Sequence, residues 1–436
     1  MTGLPEGSPR PRLAVVVVPE SVDPLGLRSA LSELCELVWV LCDASEAGDE
    51  LVRLLRRLGE VVDLRGVKRD ELERRVRAAA ISGVVGFADE ALVTVSEIGT
   101  RLGLRCNPPE VTRRLTDKLE QRRALLAAGL PVPGFRALGR EVSIPDLPSL
   151  LRGLTFPVVV KPLHGTGSLD VSRADSPEEV EAVLHAYRSG PRHDDLLVEE
   201  MIPGMAVPPG IGDYLSVESF VEDGRPVSLG ATARFALSSP FREVGSFVPA
   251  PFAAEVLESA VEMTESALVG LGVRWGAAHT ELKLSPEGPR IIEVNGRLGG
   301  IGVPEIWSPE IGRPLAEVAA RNLLAEQPPL SETCGDLESV PMDRPGFTYS
   351  LGLLPPLDAV AVGSIGDLAR LRELPGVGDV VLNRSVGDRV DWREGYQSRV
   401  VVVRGHAENL ERLGALPALV EEVAGVGYLR GTVRAQ

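Results

Sequence analysis

The sequence is poor in cysteine, and its cysteines are scattered. The chain has four cysteines and no C-x-x-C spacing; they are Cys35, Cys42, Cys106 and Cys334. This pattern argues against a cysteine zinc site and against a disulfide framework. It is typical of reduced thiols, so we expect a cytoplasmic protein.

Long apolar runs and excess positive charge are also missing. No run of the sequence approaches the length of a membrane span. Residues 1–12 are rich in proline, glycine and arginine and lack the apolar centre of a signal peptide, which predicts a disordered tail. The net charge of −16 and the pI near 5.0 argue against nucleic-acid and anionic-membrane partners, although a local basic pocket is compatible with both values.

Two common nucleotide-binding signatures are absent as well. Residues 13–107 alternate the strand candidates LAVVVV, LVWVLC, VVDL and ISGVVGF with helix candidates at residues 25–37, 50–58, 69–80 and 90–102. This alternation predicts a parallel sheet with helices on both faces. The segment lacks G-x-G-x-x-G, so we expect no dinucleotide site there. The chain also lacks the Walker A pattern G-x-x-x-x-G-K-[ST].

The 436 residues are enough for about two to four domains, and 44% hydrophobic with 25% charged residues is ordinary for a globular protein. We predict a mixed α/β and α+β chain without internal repeats. The predicted divisions are an N-terminal α/β domain at 13–107, a small lobe at 108–195, a large lobe at 196–330, and a C-terminal α+β lobe at 331–436 that opens with a polar linker at 331–344.

The most informative segment is HTELKLSPEGPRIIEVNGRLGG, which reads as a β-hairpin turned at residues 285–288. Side chains at i and i+2 share one face of a strand, so Glu293 and Asn295 should face the same way as Glu281 on the other strand. Oxygen ligands of this kind suit Mg²⁺ carrying phosphates. Arg297 follows on the same face and can bind a phosphate or a carboxylate. A solvated edge hairpin with scattered acids is the open alternative.

Lys118 lies at a predicted helix start. Asp117 and Glu120 form a capping pattern for a helix over 118–128 that stops at Gly129. A cation in the first turn is unfavourable beside the positive end of the helix dipole, and a bound phosphate would reverse that effect. An ordinary surface lysine is the alternative.

Lys161 ends the apolar run 156–160, which predicts a buried strand. Pro162 keeps Lys161 extended, and the glycine-rich segment HGTGS that follows can fold its N–H groups around an anion. A tight turn also needs glycine, so the lysine directly before the loop is the stronger signal.

These segments occur in a fixed order with VEE-x-x-x-G and DYLSVE between them. The order resembles the ATP-grasp superfamily and, within it, the L-amino-acid ligases typified by the bacilysin alanine–anticapsin ligase. The resemblance covers most of the chain and implies an ATP-grasp fold with a preceding α/β domain. It further implies ATP and Mg²⁺ as cofactors, a carboxylate and an amine as small-molecule partners, and a role in specialised peptide or antibiotic biosynthesis. A homodimer is left open.

The resemblance also implies a set of site residues. The residues matched to ATP binding are Lys118, Lys161, Gly165, Gly167, Ser168, Glu199, Glu200, Met201, Ile202 and Asp213. The residues matched to the metal are Glu218, Glu281, Glu293 and Asn295. The residues matched to the substrate are His279, Arg297 and Gly300, with Arg297 also stabilising the anionic intermediate of catalysis.

Several of these assignments have open alternatives. Glu199 and Glu200 fit a solvated strand end, His279 fits a buried core histidine, and Glu218 fits an ion pair with an arginine of the sheet. Gly300 stands near the place where the bacilysin enzyme carries a bulky aromatic, which predicts room for a donor acid larger than alanine.

The activity implied is ATP-dependent ligation of a carboxylate to an amine through an acylphosphate, with release of ADP and phosphate. Two alternatives belong to other classes. One is a different ATP-grasp chemistry, such as a carboxylase or a carboxylate–thiol ligase. The other is a nucleotide-binding protein without catalysis, which we would expect to have lost a lysine or a metal carboxylate.

Overall fold

The computed structural model describes residues 10–431 except 20, 22, 44, 46, 166, 191–193, 301, 326, 328 and 331–344. The predicted polar linker therefore lies outside the described residues. Among the helices described, none combines the length and apolar character needed to cross a membrane.

The N-terminal part is a parallel sheet with helices on both faces, as predicted. Its strands are β1 (Arg12–Val17), β2 (Glu36–Leu41), β3 (Glu60–Asp63) and β4 (Gly83–Gly86), in the order β3-β2-β1-β4. Its helices are α1 (Pro24–Leu31), α2 (Asp49–Leu58), α3 (Arg69–Ala78) and α4 (Asp89–Leu102). Alternate residues of β1 enter two different cores: Leu13 packs with α1 and α2, and Ala14 packs with α3 and α4.

The first helix differs from its prediction. It ends at Leu31, not at residue 37, because Leu37 belongs to β2 and pairs with Leu13 of β1. Both residues are buried, so the pairing that forms the sheet wins over helical periodicity at this boundary.

A small antiparallel sheet and its helices follow. The strands are β5 (Phe135–Leu138), β6 (Val158–Pro162), β7 (Ser172–Ala174) and β8 (Leu196–Glu200), in the order β5-β8-β6-β7. The helices are α5 (Pro109–Thr116), α6 (Lys118–Ala127), α7 (Leu147–Leu150) and α8 (Pro177–Arg188). Asp117 caps α6 by accepting from the backbone N–H groups of Leu119 and Glu120, which confirms the predicted helix start.

The largest element is an antiparallel sheet of eight strands among the described residues, in the order β13-β12-β9-β10-β11-β14-β17-β16. These strands are β9 (Ile211–Glu222), β10 (Arg225–Phe235), β11 (Gly245–Val248), β12 (Trp275–Ser285), β13 (Gly288–Asn295), β14 (Phe347–Leu353), β16 (Val377–Leu382) and β17 (Val401–Ala407). A two-stranded sheet consists of β15 (Ala359–Ser364) and β18 (Gly427–Arg430).

The helices of this half are α9 (Ala254–Leu271), α10 (Val303–Ile311), α11 (Leu315–Leu323), α12 (Ala369–Arg372) and α13 (Leu410–Ala424). The chain after residue 344 was expected to form a lobe of its own. Three of its strands, β14, β16 and β17, instead extend the eight-stranded sheet, and Tyr349 and Val403 share one core with Leu215 of β9. The predicted residue boundaries of the domains stay predictions.

Candidate active site

A cleft lies between the small antiparallel sheet β5-β8-β6-β7 and the eight-stranded sheet. It has an empty volume of about 1510 Å³, counting the part that opens to solvent. Predicted site residues that line it are Lys118, Lys161, Gly165, Gly167, Ser168, Glu199, Glu200, Met201, Ile202, His279, Glu281, Glu293, Arg297 and Gly300. Three predicted residues, Asp213, Glu218 and Asn295, are not among its lining residues.

The predicted hairpin exists, and it brings two carboxylates into the cleft. Glu281 of β12 pairs directly with Glu293 of β13, so their side chains share one face of the sheet. The register shifts immediately afterwards, because Leu282 pairs with Ile291 and leaves Ile292 as a bulge. This bulge lets the consecutive residues Ile292 and Glu293 both line the cleft.

Lys118 joins the helix start to this hairpin. Its Nζ lies 2.9 Å from Oε1 of Glu293 and donates to the carbonyl oxygen of Gly165 at 2.7 Å. Its backbone N–H donates to the carbonyl oxygen of Leu163, just after β6. The ammonium group of Lys118 therefore joins the N-terminus of α6 to the glycine segment and to Glu293, a predicted metal ligand.

Lys161 belongs to a buried ion network. Its Nζ bonds Glu199, and the guanidinium of Arg122 holds the same carboxylate with Nε 2.9 Å from Oε2. Burial alone would raise the pKa of Glu199, but the charges of Arg122 and Lys161 outweigh it and lower that pKa to about 2. Glu199 is therefore not a solvated strand end. Glu200 is also engaged, accepting from the backbone N–H groups of Gly134 and Thr155.

Glu218 and Asn295 both pair with His279 across neighbouring strands and are not among the residues that line the cleft. Glu218 is buried and accepts from Ser216 Oγ at 2.7 Å, while both of its carboxylate oxygens lie 2.9 Å from His279 Nδ1. Asn295 is buried too, and its Nδ2 lies 3.4 Å from the carbonyl oxygen of His279. The four predicted metal ligands thus divide into Glu281 and Glu293, which line the cleft, and Glu218 and Asn295, which flank His279 on the neighbouring strands.

The residues that face the cleft fit Mg²⁺ with a nucleotide. No group of three or more His, Cys, Asp and Glu side chains among the described residues is arranged to hold a metal ion by itself. Glu281 and Glu293 supply two hard oxygen ligands, and Mg²⁺ is commonly bound by one or two carboxylates with substrate phosphates. Lys118 and Lys161 beside them supply the positive charge that phosphates require.

His279 is a buried cation between two carboxylates. It is 3% exposed, with Nδ1 at Glu218 and Nε2 3.4 Å from Oε1 of Glu281. Burial would lower its pKa, but Glu218 and Glu281 raise the pKa to about 9. His279 is buried and also belongs to the cleft lining, so it is compatible both with a core histidine and with the predicted substrate contact.

His279→Gln is expected to flatten the dependence of stability on pH. Because the folded-state pKa of His279 is raised from 6.5 to about 9, its charge stabilises the fold fully below pH 6.5, and this contribution is lost as the pH rises through 9. The difference amounts to at most about 3 kcal/mol.

Denaturant unfolding across that pH window measures the effect. Wild type should lose more free energy of unfolding than His279→Gln as the pH rises. His185→Gln, which removes an exposed histidine of α8, should follow wild type. Equal losses in wild type and His279→Gln would contradict a buried imidazolium.

Arg297 lines the cleft but is anchored from the N-terminal domain. Its Nε and Nη2 lie 2.9 and 2.8 Å from Oδ2 of Asp89, the first residue of α4. Burial would lower the pKa of Arg297, but Asp89 raises it overall. Sequence reasoning missed Asp89, whose carboxylate holds the guanidinium of Arg297, the predicted substrate residue.

Of the remaining residues predicted to bind ATP, all but Asp213 line the cleft. Met201 and Ile202 follow β8 and line the cleft. Asp213 does not line it; its Oδ1 lies 2.5 Å from Nζ of Lys283, which does. Gly165 and Gly167 have positive φ, as the predicted loop requires, and Ser168 adopts φ 58°.

Gly300 lines the cleft beside Tyr396, and the room for a larger donor acid stays a prediction. A Cβ at this position would meet Cζ and the hydroxyl of Tyr396 at 3.9 Å. The aromatic ring that bounds this space therefore comes from the segment Trp392–Ser398, a distorted 3₁₀ turn. The same segment touches the glycine loop, because a Cβ at Gly395 would lie 2.1 Å from the carbonyl oxygen of Gly167.

Sequence reasoning also missed several charged residues of the cleft, namely Arg234, Glu243, Lys283 and Arg399. One of them carried a usable signal. The chain has only four lysines, and three of them line the cleft: Lys118, Lys161 and Lys283. The two arginines and Glu243 carry no such signal, because arginine and glutamate are abundant along the chain.

Known proteins share this architecture. A family model described as an ATP-grasp domain matches residues 154–305. The L-amino acid ligase from Bacillus licheniformis has a solved structure with a TM-score of 0.75 at 20% identity, covering 97% of this chain and 100% of that chain.

Proteins of similar sequence include an uncharacterized protein and a ligase. The uncharacterized protein y4rH of Sinorhizobium fredii is 28% identical over 78% of this chain and 68% of its own length. The D-alanine–D-alanine ligase of Gloeobacter violaceus is 29% identical over 44% of this chain, and the match spans 63% of that enzyme's length. With the match to an ATP-grasp domain over residues 154–305, these findings show that this chain is similar to ATP-grasp proteins, and the solved ligase shares its fold.

Proposed function

We propose that the protein is an ATP-dependent ligase that joins a carboxylate to an amine through an acylphosphate. One observation carries this proposal. Glu281 and Glu293 face each other across β12 and β13, and Lys118 and Lys161 enter the same cleft from the small lobe. The similarities to a D-alanine–D-alanine ligase and an L-amino acid ligase support the same activity.

ATP would lie along the cleft between the two sheets. Lys118 and Lys161 would bind its phosphates, and the glycine loop at Gly165 and Gly167 would cover them. The apolar side chains of Met201 and Ile202, with backbone groups of that segment, would hold adenine. Asp213 is paired with Lys283 and would contact the ribose only if that ion pair opened. Lys283 lines the cleft itself, so we assign the contact with the nucleotide to Lys283.

Glu281 and Glu293 would hold Mg²⁺, which neutralises charge on the transferred phosphoryl group. Arg297, anchored by Asp89, would bind the donor carboxylate and its acylphosphate. Glu218 would keep His279 charged and fixed beside it in the same sheet, which makes Glu218 a positioning residue in this proposal.

The chemistry needs no side-chain nucleophile. An oxygen of the donor carboxylate attacks the γ-phosphorus, the bond to ADP breaks, and an acylphosphate forms. The amine nitrogen then attacks the acyl carbon, the bond to phosphate oxygen breaks, and the nitrogen loses a proton as phosphate leaves. Closure of the glycine loop would exclude water, which would otherwise hydrolyse the acylphosphate.

The alternatives predict different products. A carboxylase or a carboxylate–thiol ligase shares the acylphosphate but not the amine acceptor. A nucleotide-binding protein without catalysis would need no intact set of Lys118, Lys161, Glu281 and Glu293, and all four side chains reach the cleft here. The ligase therefore accounts for more of the site.

Incubation with ATP, Mg²⁺ and pooled amino acids tests the proposal. Amino-acid-dependent phosphate release together with a new amide mass is the expected result. Nucleotide binding without phosphate release for any acid would contradict it.

The cellular setting is part of the proposal. Cys35, Cys42 and Cys106 are free thiols. Burial raises the pKa of Cys35 to about 12, so the reactive thiolate form of this group is disfavoured and the thiol resists oxidation. These thiols suit the cytoplasm. A role in specialised peptide biosynthesis and a homodimeric state stay predictions, which genomic neighbours and light scattering would test.

A further inference from the structure

Two buried arginines lie at the end of the cleft beside Tyr396. Arg234 of β10 and Arg399, directly after the 3₁₀ turn, are each 5% exposed, and both line the cleft. They come from segments far apart in the sequence. Neither has a role in the phosphate and metal chemistry proposed above.

Arg399 lacks a matching anion. Its Nε donates to the backbone carbonyl of Tyr396, and its Cζ lies 4.8 Å from the centroid of the Tyr396 ring. Among the described residues, no carboxylate lies within 4.0 Å of its guanidinium nitrogens. Burial lowers the pKa of Arg399, and Glu243 only partly offsets this effect, while Arg234 adds repulsion. A buried guanidinium with free donors is costly unless a ligand pairs with it.

Arg234 is only partly satisfied. Its Nη2 donates to Ser216 Oγ at 3.0 Å, and its Nε is buried without a hydrogen-bond partner. The same Nη2 lies 3.2 Å from His279 Nε2.

Glu243 is the carboxylate that interacts with both guanidinium groups, and Glu281 and Glu218 also act on Arg234. Oε1 of Glu243 lies 4.0 Å from Nη1 of Arg234, beyond hydrogen-bond distance, and Glu243 also lines the cleft. The buried hydroxyl of Tyr214, another lining residue, has no hydrogen-bond partner. Two cations, one carboxylate and a free hydroxyl match the carboxylate and the ammonium of an α-amino acid.

We propose that Arg399 and Arg234 form a second anion subsite, which binds the carboxylate of the amine substrate. This inference rests on the proposed ligase activity. Glu243 then accepts a hydrogen bond from the ammonium of the same molecule. Tyr396 separates this subsite from Arg297, which binds the carboxylate that is phosphorylated, so the two carboxylates of a reaction are held by different arginines.

The two-arginine subsite selects the acceptor. An amine without a carboxylate leaves both guanidinium groups unpaired and should react poorly. A small nucleophile that needs no positioning, such as hydroxylamine, bypasses the subsite, because it reports only whether the acylphosphate has formed.

The test compares these two kinds of acceptor in wild type and in Arg399→Met, which keeps a long apolar stem in contact with Gly352 and removes the charge. Each of the twenty proteinogenic amino acids is first offered as donor with hydroxylamine, and hydroxamate formation identifies a working donor. That donor is then paired with L-alanine or with L-alaninamide, which has the same amine and no carboxylate. Arg393→Ala, an exposed arginine of the same segment, is the matched control.

Wild type should prefer L-alanine, and Arg399→Met should lose about tenfold or more of its kcat/KM for L-alanine while hydroxamate formation stays within about threefold. Arg399→Met should also abolish the preference for L-alanine over L-alaninamide. Arg393→Ala should behave as wild type.

Three results would overturn the subsite. Unchanged discrimination in Arg399→Met would show that Arg399 does not read the acceptor. An equal loss of hydroxamate and amide would indicate a general structural role, and a loss of hydroxamate for acidic donors alone would move the second carboxylate to the donor. If wild type forms no hydroxamate and releases no phosphate with any acid, the ligase activity itself is contradicted, and the subsite with it.

Discussion

Glu293→Gln is expected to slow ATP-dependent phosphate release by about 10²- to 10³-fold, because one charge contact made in the transition state is worth about 3–4 kcal/mol. The substitution keeps the shape of the side chain and removes the charge that pairs with Lys118 and faces Glu281. Steady-state phosphate release with a working donor acid measures the loss. The fold should be retained, since Glu293 lies at the cleft wall with 19% of its side chain exposed.

Glu287→Gln supplies the matched control. Glu287 lies in the turn of the same hairpin, with 76% of its side chain exposed, and its charge faces solvent and Arg290. This variant should release phosphate at the wild-type rate. Wild-type turnover by Glu293→Gln would remove the hairpin from the metal site.

Lys161→Met is expected to weaken ATP binding by about 10- to 150-fold, which corresponds to about 1.5–3 kcal/mol for a lost charged hydrogen bond. Lys161 lies in β6 and is 5% exposed, so little side-chain freedom is lost when it meets a phosphate. Methionine keeps the apolar stem. Glu199 keeps Arg122 as a partner, so its buried carboxylate is not left unpaired.

Calorimetric titration with ATP and Mg²⁺ measures this effect. Lys68→Met is the control, because Lys68 is exposed and is the one lysine of the sequence outside the cleft lining. Circular dichroism and thermal unfolding establish that the variant is folded. Unchanged ATP affinity in folded Lys161→Met would exclude Lys161 from the phosphate site.

Local patterns were enough to predict the parts of the site that lie close together in sequence. The β12–β13 hairpin follows from alternation around a turn, so the pairing of Glu281 with Glu293 could be foreseen. The cap of α6 follows from Asp117 and Glu120. Lys161 was predicted at the end of a strand because Pro162 keeps it extended.

The ion pairs of the site could not be predicted in this way. Asp89 and Arg297 lie 208 positions apart, and Arg122 and Glu199 lie 77 apart. Nothing in a local pattern states which distant charge a buried arginine will meet. The same limit explains Glu218, which the resemblance matched to the metal: only the pairing of β9 with β12 shows that it lies beside His279 and outside the cleft lining.

The contribution of the C-terminal segment was also beyond local reasoning. Tyr396 and Arg399 reach the cleft because β14 and β17 continue the large sheet and return the chain beside Gly300. This sheet extension depends on pairing between distant strands, whereas the segment by itself reads as a separate lobe. The residues proposed to choose the acceptor therefore come from the part of the sequence with the weakest motif.

Oxygen-18 transfer tests acylphosphate formation most directly. The donor acid is labelled with ¹⁸O in its carboxylate, and the reaction is run with ATP, Mg²⁺ and the amine. If the carboxylate attacks the γ-phosphate, one labelled oxygen moves to phosphorus and leaves with it, so the released inorganic phosphate should carry one ¹⁸O atom by mass spectrometry. Unlabelled phosphate released together with the amide product would contradict the acylphosphate and the ligase mechanism built on Glu281, Glu293, Lys118 and Lys161.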